Sequence, residues 1–152
     1  IHYALIDEMN KITSVITIGA QNVLRYKDTT KSYAEVAREL KVDVLVEGSL
    51  MRSEDMITLT VRLRDGLTEK LIGPPISFEN KPTQNQALSG GVALRIARKI
   101  NAQLTARDIE RLSRKLNVNP RAYDLYLQFM SGESAAKQET QETYLRTKGF
   151  KP

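Results

Sequence analysis

The most regular alternation of apolar and polar side chains lies between residues 42 and 65. In its second half, four apolar residues alternate with Thr and Arg: Ile57, Leu59, Val61 and Leu63. This period of two is typical of a strand with one buried face. Residues 44–50 alternate in the same way, and the polar residues 52–55 between the two segments favour a turn. The pattern predicts an antiparallel hairpin that the rest of the chain covers.

The residues before the hairpin predict a helix, a strand and a second helix. Apolar positions at steps of three and four predict an amphipathic helix over residues 1–12, and the β-branched run at 13–20 predicts a buried strand followed by a polar loop at 21–31. Ser32 and Glu35 form a capping box that opens a helix ending near residue 41. Strand, helix and strand in this order predict a right-handed crossover and a parallel strand pair.

The residues after the hairpin predict one more strand and several helices. The segments are an edge strand at 68–78, interrupted by Gly73-Pro74-Pro75, and helices at 82–104, 105–116, 121–130 and 139–148. Gly90 and Gly91 weaken the start of the long helix. They indicate either a close approach to the sheet or a frayed helix start.

Together these elements predict an α/β fold, with a mixed β-sheet of about three to four strands packed by helices and a C-terminal helical, repeat-like extension. The predicted domains are an α/β domain at residues 1–104, and a helical linker with an incomplete helix pair at 105–152. At 152 residues, with 41% hydrophobic and 27% charged side chains, the composition is that of a soluble globular protein. No apolar run approaches the roughly 18 residues of a spanning helix.

The absence of an initiator Met and of a signal-peptide pattern predicts that the chain is a fragment of a longer protein. The predicted compartment is the cytoplasm, or the periplasm if the parent protein has a membrane anchor. The chain contains no Cys and a single His, His2, which excludes disulfides, thiolate catalysis and a His-rich metal site. We therefore predict no cofactor and no metal.

The carboxylate pairs Asp7-Glu8 and Glu54-Asp55 are predicted to lie on a polar helix face and in the hairpin turn. Neither pair has the apolar surroundings that raise a pKa for acid–base catalysis. The chain also lacks the phosphate-binding motifs G-x-x-x-x-G-K-[ST] and G-x-G-x-x-G. We predict no catalytic residues within this chain.

The net charge of +5 is concentrated in residues 93–115, which contain seven basic and two acidic side chains. Arg107, Arg111 and Lys115 lie four residues apart and are candidate contacts for an anion, such as a phosphate of nucleic acid or of anionic lipid. Arg and Lys also commonly solvate amphipathic helices, and no interleaved aromatic residues or base-reading motif accompany them. The structural interpretation is favoured, and nucleic acid is not the predicted partner.

Tyr123, Tyr126 and Phe129 recur at a spacing of three in the helix predicted at residues 121–130. They are candidates for a protein-contact surface. Because this spacing also brings aromatic residues into a core, helix–helix packing is the favoured alternative.

Two segments resemble a known pair of domains: SYAEVARELKVDVLVEGSLMRSEDMITLTVRLRD and NPRAYDLYLQFMSGE. The first resembles the TolB amino-terminal-like α/β domain of bacterial signalling proteins. The second resembles the opening of the tetratricopeptide repeats that follow this domain. In such proteins the pair usually lies downstream of a class III adenylate or guanylate cyclase domain, or of a winged-helix DNA-binding domain and a membrane span.

The resemblance implies a non-catalytic regulatory or protein-interaction module, with a protein partner or a homodimer. The alternative is the regulatory module of a winged-helix transcriptional activator, whose basic helices contact nucleic acid or membrane. The sequence departs from the family in three ways. The usual first strand is absent, which would leave an open sheet edge; residues 71–75 replace a Trp-containing strand; and the repeat is incomplete.

Overall fold

The computed structural model describes residues 2–81 and 88–114, and the backbone of residues 139–147. The helices are α1 (His2–Asn10), α2 (Ala20–Leu24), α3 (Tyr33–Leu40), α4 (Leu88–Lys99) and α5 (Ala106–Ser113). The strands are β1 (Val15–Thr17), β2 (Val44–Arg52), β3 (Ile57–Asp65), β4 (Ile76–Asn80) and β5 (Glu139–Thr147).

The predicted hairpin is confirmed as β2 and β3. Its register runs without interruption from Val44 opposite Asp65 to Arg52 opposite Ile57. The Ser53 amide donates to the Met56 carbonyl across 2.8 Å and closes the turn. The inward row of β3 is buried and the outward row is half-buried or exposed, as the alternation predicts.

The described strands form one sheet in the order β1-β5-β2-β3-β4, and each neighbouring pair is antiparallel. β1 and β2 run in the same direction, as the crossover predicts. They are not neighbours, however, because β5 lies between them and pairs with both. The sheet therefore has five described strands rather than three to four, and the predicted parallel pair is wrong.

The helix predicted at residues 139–148 is also wrong, because this segment forms β5. Its sequence, ETQETYLRT, is rich in Thr and includes a Tyr, residue types that favour strands. Residues 139–145 pair with residues 44–50 of β2 and satisfy the backbone groups along that side of the strand. The identity of such a distant partner strand cannot be read from the local sequence.

The α/β class, with helices covering the sheet, is confirmed. The main core lies between one face of the sheet and helices α1, α4 and α5. Its buried members include Leu5, Met9, Ile12, Val44, Val46, Leu59, Val61, Leu63, Val92, Ile96, Ile100 and Leu112. A smaller cluster on the opposite face joins α2 and α3 to β2 through Val23, Tyr26, Val36, Ala37, Val42 and Leu45.

Two helices begin with the capping boxes that the sequence contains. Ser32 Oγ accepts from the Glu35 amide across 3.2 Å, and the Glu35 carboxylate accepts from the Ser32 amide across 2.7 Å. Thr105 and Asp108 repeat this exchange at the start of α5, with distances of 3.1 and 2.9 Å. The sequence predicts the first capping box in full and a helix that begins at residue 105.

Several predicted boundaries need correction. α4 ends at Lys99 rather than at residue 104, because Asn101 adopts a φ of 54° and the Ala102 amide donates to the Ala97 carbonyl across 2.9 Å. Residues 20–24, mostly assigned to the loop that follows β1, form α2 because Ala20 and Val23 are buried.

The predicted edge strand at 68–78 also begins later, as β4 at Ile76. Gly73 has a φ of 71°, and the two prolines that follow it cannot donate to a ladder. Only Leu71 pairs earlier, with Arg64.

Gly90 does allow a close approach, but to a helix rather than to the sheet, because it lies against the backbone of Leu112 in α5. The helix predicted at residues 121–130 lies outside the described residues, and the domain boundary at 104/105 stays a prediction. Of the helices in the described parts of the chain, none has the length and apolar character needed to cross a membrane.

Candidate functional site

The predicted protein-contact residues Tyr123, Tyr126 and Phe129 lie outside the described residues. Lys115, the last residue of the candidate anion contact, also lies outside them. Their roles stay predictions.

Arg111 uses its guanidinium to hold helices together. Its Nη2 donates to the Lys11 carbonyl after α1 across 2.8 Å, and to Asp108 Oδ1 across 2.6 Å. Asp108 is 1% exposed, so its carboxylate needs these partners. Arg111 therefore links α5 to the end of α1, and its exposed guanidinium is paired with the buried carboxylate of Asp108.

The pKa of Asp108 is lowered, first by the backbone hydrogen bond at Thr105 and further by the Thr105 hydroxyl and by Arg111, against the opposing effect of burial. The carboxylate is thus held ionised as a helix cap. The charge of Asp108 therefore stabilises the start of α5.

Arg107 is exposed, and none of the ion pairs between described residues includes it. Arg114, which follows α5, pairs with Glu110 across 2.7 Å at the surface. The structure therefore places Arg107 and Arg111 in different electrostatic surroundings, rather than in one stripe of free cations.

The basic residues of α4 contact the segment before β4 and the strand itself. The Arg95 guanidinium lies 4.9 Å from the centre of the Phe78 ring, and the Lys99 ammonium donates to the Pro74 carbonyl. These contacts attach the outer side of α4 to the margin of the sheet. They account for part of the positive charge between residues 93 and 115.

A polar cluster that sequence reasoning missed joins α3 to the outer face of the sheet. Arg64 Nε donates to Glu47 Oε2 across 2.9 Å, and Arg64 Nη1 donates to the Glu69 carbonyl across 3.1 Å. The Arg64 guanidinium lies 4.6 Å from the centre of the Tyr33 ring, and the Tyr33 hydroxyl donates to Glu47 Oε1. The Glu69 carboxylate accepts from the Ala34 amide in the first turn of α3 across 2.7 Å.

Burial opposes the charge of Arg64, but the hydrogen bond and the charge of Glu47 outweigh it and raise the pKa of Arg64. Both oxygens of Glu47 accept a hydrogen bond. This carboxylate is therefore engaged as an acceptor, and the cluster fixes α3 on β2 and β3. The groups hold one another in place.

The hairpin register could have located part of this cluster. With the turn at residues 53–56, Leu45 lies opposite Arg64 and Glu47 opposite Arg62. Glu47 and Arg64 are therefore diagonal neighbours on the outer face, within reach of long side chains. Tyr33 and Glu69 come from other elements, so their places depend on tertiary packing.

The side chains of the two predicted carboxylate pairs differ in how far they are exposed. Glu54 and Asp55 are exposed near the hairpin turn, as predicted. Asp7 is exposed too, but Glu8 is 7% exposed rather than solvated, and it accepts from Lys11 across 2.7 Å. Glu8 thus contributes to the fixing of α1. In the described parts of the chain, no group of three or more His, Asp or Glu residues could hold a metal ion.

His2 is 3% exposed, and neither ring nitrogen has a hydrogen-bond partner within the described residues. Burial, with a smaller contribution from the charge of the amino terminus, lowers the pKa of His2 to about 4. The imidazole is therefore neutral at pH 7 and packs as an apolar group.

Comparison with known proteins finds a partial similarity to a protein named as an adenylate cyclase. No family model and no solved structure matches it. Over 121 residues the chain is 27% identical to the protein named "Putative adenylate cyclase 3" of Rhizobium meliloti (strain 1021). The similar region covers 80% of this chain and 20% of that protein. The chain thus spans about a fifth of the length of the relative it matches, and its similarity is to one segment of a protein named as an adenylate cyclase.

Proposed function

We propose that this chain is a non-catalytic regulatory or protein-interaction module of a bacterial signalling protein, associated with an adenylate or guanylate cyclase domain. The observation that carries the proposal is the coverage of the similarity. Most of this chain matches, yet it corresponds to a fifth of the putative cyclase, which leaves four fifths of that protein for other domains. A module of this size fits one domain of such a protein.

The polar chemistry of the described residues supports the proposal. Glu47, Arg64 and Glu69 form hydrogen bonds that join α3, β2, β3 and the turn after β3. Asp108 and Arg111 pair in the same way at the start of α5. These groups stabilise a scaffold, which is what a module needs in order to present a contact surface to a partner.

The proposal includes a TolB-like identity, which rests on the sequence resemblance of the segments that form the capping-box helix and the β2–β3 hairpin. Under this proposal, residues 119–133 begin a tetratricopeptide-like repeat. The cyclase-linked parent is preferred to the winged-helix activator because the relative is named as a cyclase.

The test separates catalysis from regulation. The purified 152-residue chain, incubated with ATP and Mg²⁺ or Mn²⁺, is expected to produce no cyclic AMP. The Rhizobium protein is then assayed intact and without the segment that this chain matches. The shortened protein is expected to keep turnover but to differ from the intact protein in rate or in its response to partners.

Two results would contradict the proposal. Cyclic AMP produced by the isolated chain would make it an enzyme. Complete loss of turnover in a shortened Rhizobium protein that is still folded by circular dichroism would show that the segment supplies catalytic groups.

A further inference from the structure

β4 is the terminal strand on one side of the sheet, and no strand among the described residues pairs with its outer side. The direction of its backbone groups follows from β3. The Asp65 amide donates to the Lys70 carbonyl across 2.9 Å, and the Ile72 amide donates to the Leu63 carbonyl across 2.8 Å. Odd-numbered residues of β3 therefore turn their backbone N–H and C=O groups toward β4.

The residues of β4 that receive those bonds lie opposite Ile57, Leu59 and Val61, and they are Asn80, Phe78 and Ile76. Because the pattern alternates along an antiparallel strand, Ser77 and Glu79 turn their N–H and C=O groups outward. These two residues present four backbone hydrogen-bonding groups at the edge.

The same margin of the molecule has an incompletely buried apolar row. In β4, Ile76 and Phe78 pack against the main core but are only partly buried. Among the described residues, a strand edge without a partner strand and a partly buried apolar row thus coincide. Both are features that an added strand would cover.

We propose that a second copy of this chain pairs with β4 in antiparallel orientation about a two-fold axis at Phe78. Ser77 of each copy then lies opposite Glu79 of the other, and the two pairs form four backbone hydrogen bonds. Phe78 faces Phe78 across the axis on the side of the core. The ten described strands of the two copies form one continuous sheet.

The sequence of β4 selects this register. Within β4 only Ser77 and Glu79 have outward backbone groups, so a hydrogen-bonded pair formed between these two residues places the axis at Ser77, Phe78 or Glu79. An axis at Ser77 places Glu79 opposite Pro75, which has no N–H to donate. An axis at Glu79 places two Glu side chains directly opposite each other, which is repulsive. The axis at Phe78 avoids both faults and uses all five residues of the strand.

The oligomeric state provides the first test. Light scattering on the 152-residue chain is expected to give twice its mass of 17.2 kDa at micromolar concentration. Ser77→Pro removes an outward N–H without touching the bonds to β3, and it is expected to raise the dissociation constant at least about tenfold. Glu79→Pro is the second variant of the same design. Ser77→Ala keeps the N–H and is expected to remain dimeric.

Cross-linking fixes the register, since the chain has no natural Cys. Opposed residues of a hydrogen-bonded antiparallel pair have Cα atoms about 5.5 Å apart, within the range that a disulfide spans. A mixture of the Ser77→Cys and Glu79→Cys variants is expected to form a disulfide-linked dimer on mild oxidation. Either variant alone is expected to give much less.

A wild-type chain that stays monomeric at the micromolar concentrations of the first test would overturn the inference. A dimer that both proline variants leave intact would also overturn it, and so would equal cross-linking in the mixed and single-variant samples. If either proline variant unfolds, the cross-linking pattern alone decides. This inference is independent of the proposed function, because it requires only self-association.

Discussion

A β-carbon placed on Gly90 would lie 2.5 Å from the carbonyl oxygen of Leu112. This distance is too short for any side chain, and the obstacle is the backbone of α5 rather than a movable group. Gly90 in α4 thus lies directly against the backbone of α5. Its neighbour Gly91 has open space at the corresponding point, with nothing within 4 Å.

Gly90→Ala is therefore expected to push α5 away from α4 and to lower the free energy of unfolding by about 1–3 kcal/mol. Gly91→Ala is the matched control. It adds the same methyl group one residue later, where it is expected to be neutral or stabilising by up to about 1 kcal/mol through helix propensity. Urea denaturation followed by circular dichroism measures both. Equal effects of the two substitutions would contradict the role given to Gly90.

Glu69→Ala is expected to weaken the start of α3. It removes the carboxylate that accepts from the Ala34 amide, one of the donors that an α-helix leaves unpaired at its first turn. The expected loss is about 1 kcal/mol in the free energy of unfolding, measured by urea denaturation. Glu54→Ala, in the exposed hairpin turn, is the control and should change stability by less than about 0.5 kcal/mol. A loss no larger than the control's would show that the cap has no energetic role.

Glu47 and Arg64 are expected to be coupled energetically. Glu47→Gln leaves the mostly buried guanidinium of Arg64 without its counter-charge. Arg64→Met likewise leaves the Glu47 carboxylate without its counter-charge. In a double-mutant cycle, the loss in the double variant should be smaller than the sum of the single losses by about 1–2 kcal/mol. The exposed pair of Glu110 and Arg114 is the control, with an expected coupling below about 0.5 kcal/mol. Similar coupling energies in the two pairs would contradict this prediction.

His2 is expected to make the fold sensitive to acid. The ordinary pKa of 6.5 applies to the unfolded chain, whereas the folded pKa is about 4. Between these two values the unfolded state binds more protons, so stability falls as the pH is lowered from about 6.5 to 4. The full contribution is at most about 3 kcal/mol.

His2→Phe keeps a ring at this buried position and removes the titrating group. The free energy of unfolding, measured from pH 7 to pH 4 for both proteins, should fall less steeply in the variant. The difference between the two curves isolates His2 from the carboxylates, which titrate in both. Parallel curves would show that His2 is not buried in its neutral form.

The elements that the sequence predicted well are those encoded by neighbouring residues. The alternation from Ile57 to Leu63 located β3, and the capping box at Ser32 located the start of α3. In each case the signal is the period of the side chains or a hydrogen-bond exchange within one turn, so a short window of sequence contains all the information.

The features that the sequence did not reveal depend on distant partners. β5 was predicted as a helix because its place between β1 and β2 is set by residues about a hundred positions away in the sequence. The bond from Arg111 to the Lys11 carbonyl could not be predicted, because that carbonyl becomes a neighbour only after folding. The same reason applies to Glu69, whose carboxylate reaches a helix that precedes it by 35 residues.

The turn between β3 and β4 contacts both ends of α3. Its Glu69 carboxylate binds the first turn of the helix, while at the other end the Gly66 amide donates to the Asp43 carbonyl across 2.8 Å, and a β-carbon on Gly66 would lie 2.9 Å from that of Ala37. The helix therefore cannot fray from either end without releasing the turn. In native-state hydrogen exchange, α3 and the β2–β3 hairpin should consequently open as one cooperative unit, so a short surface turn sets the protection of amides far along the chain.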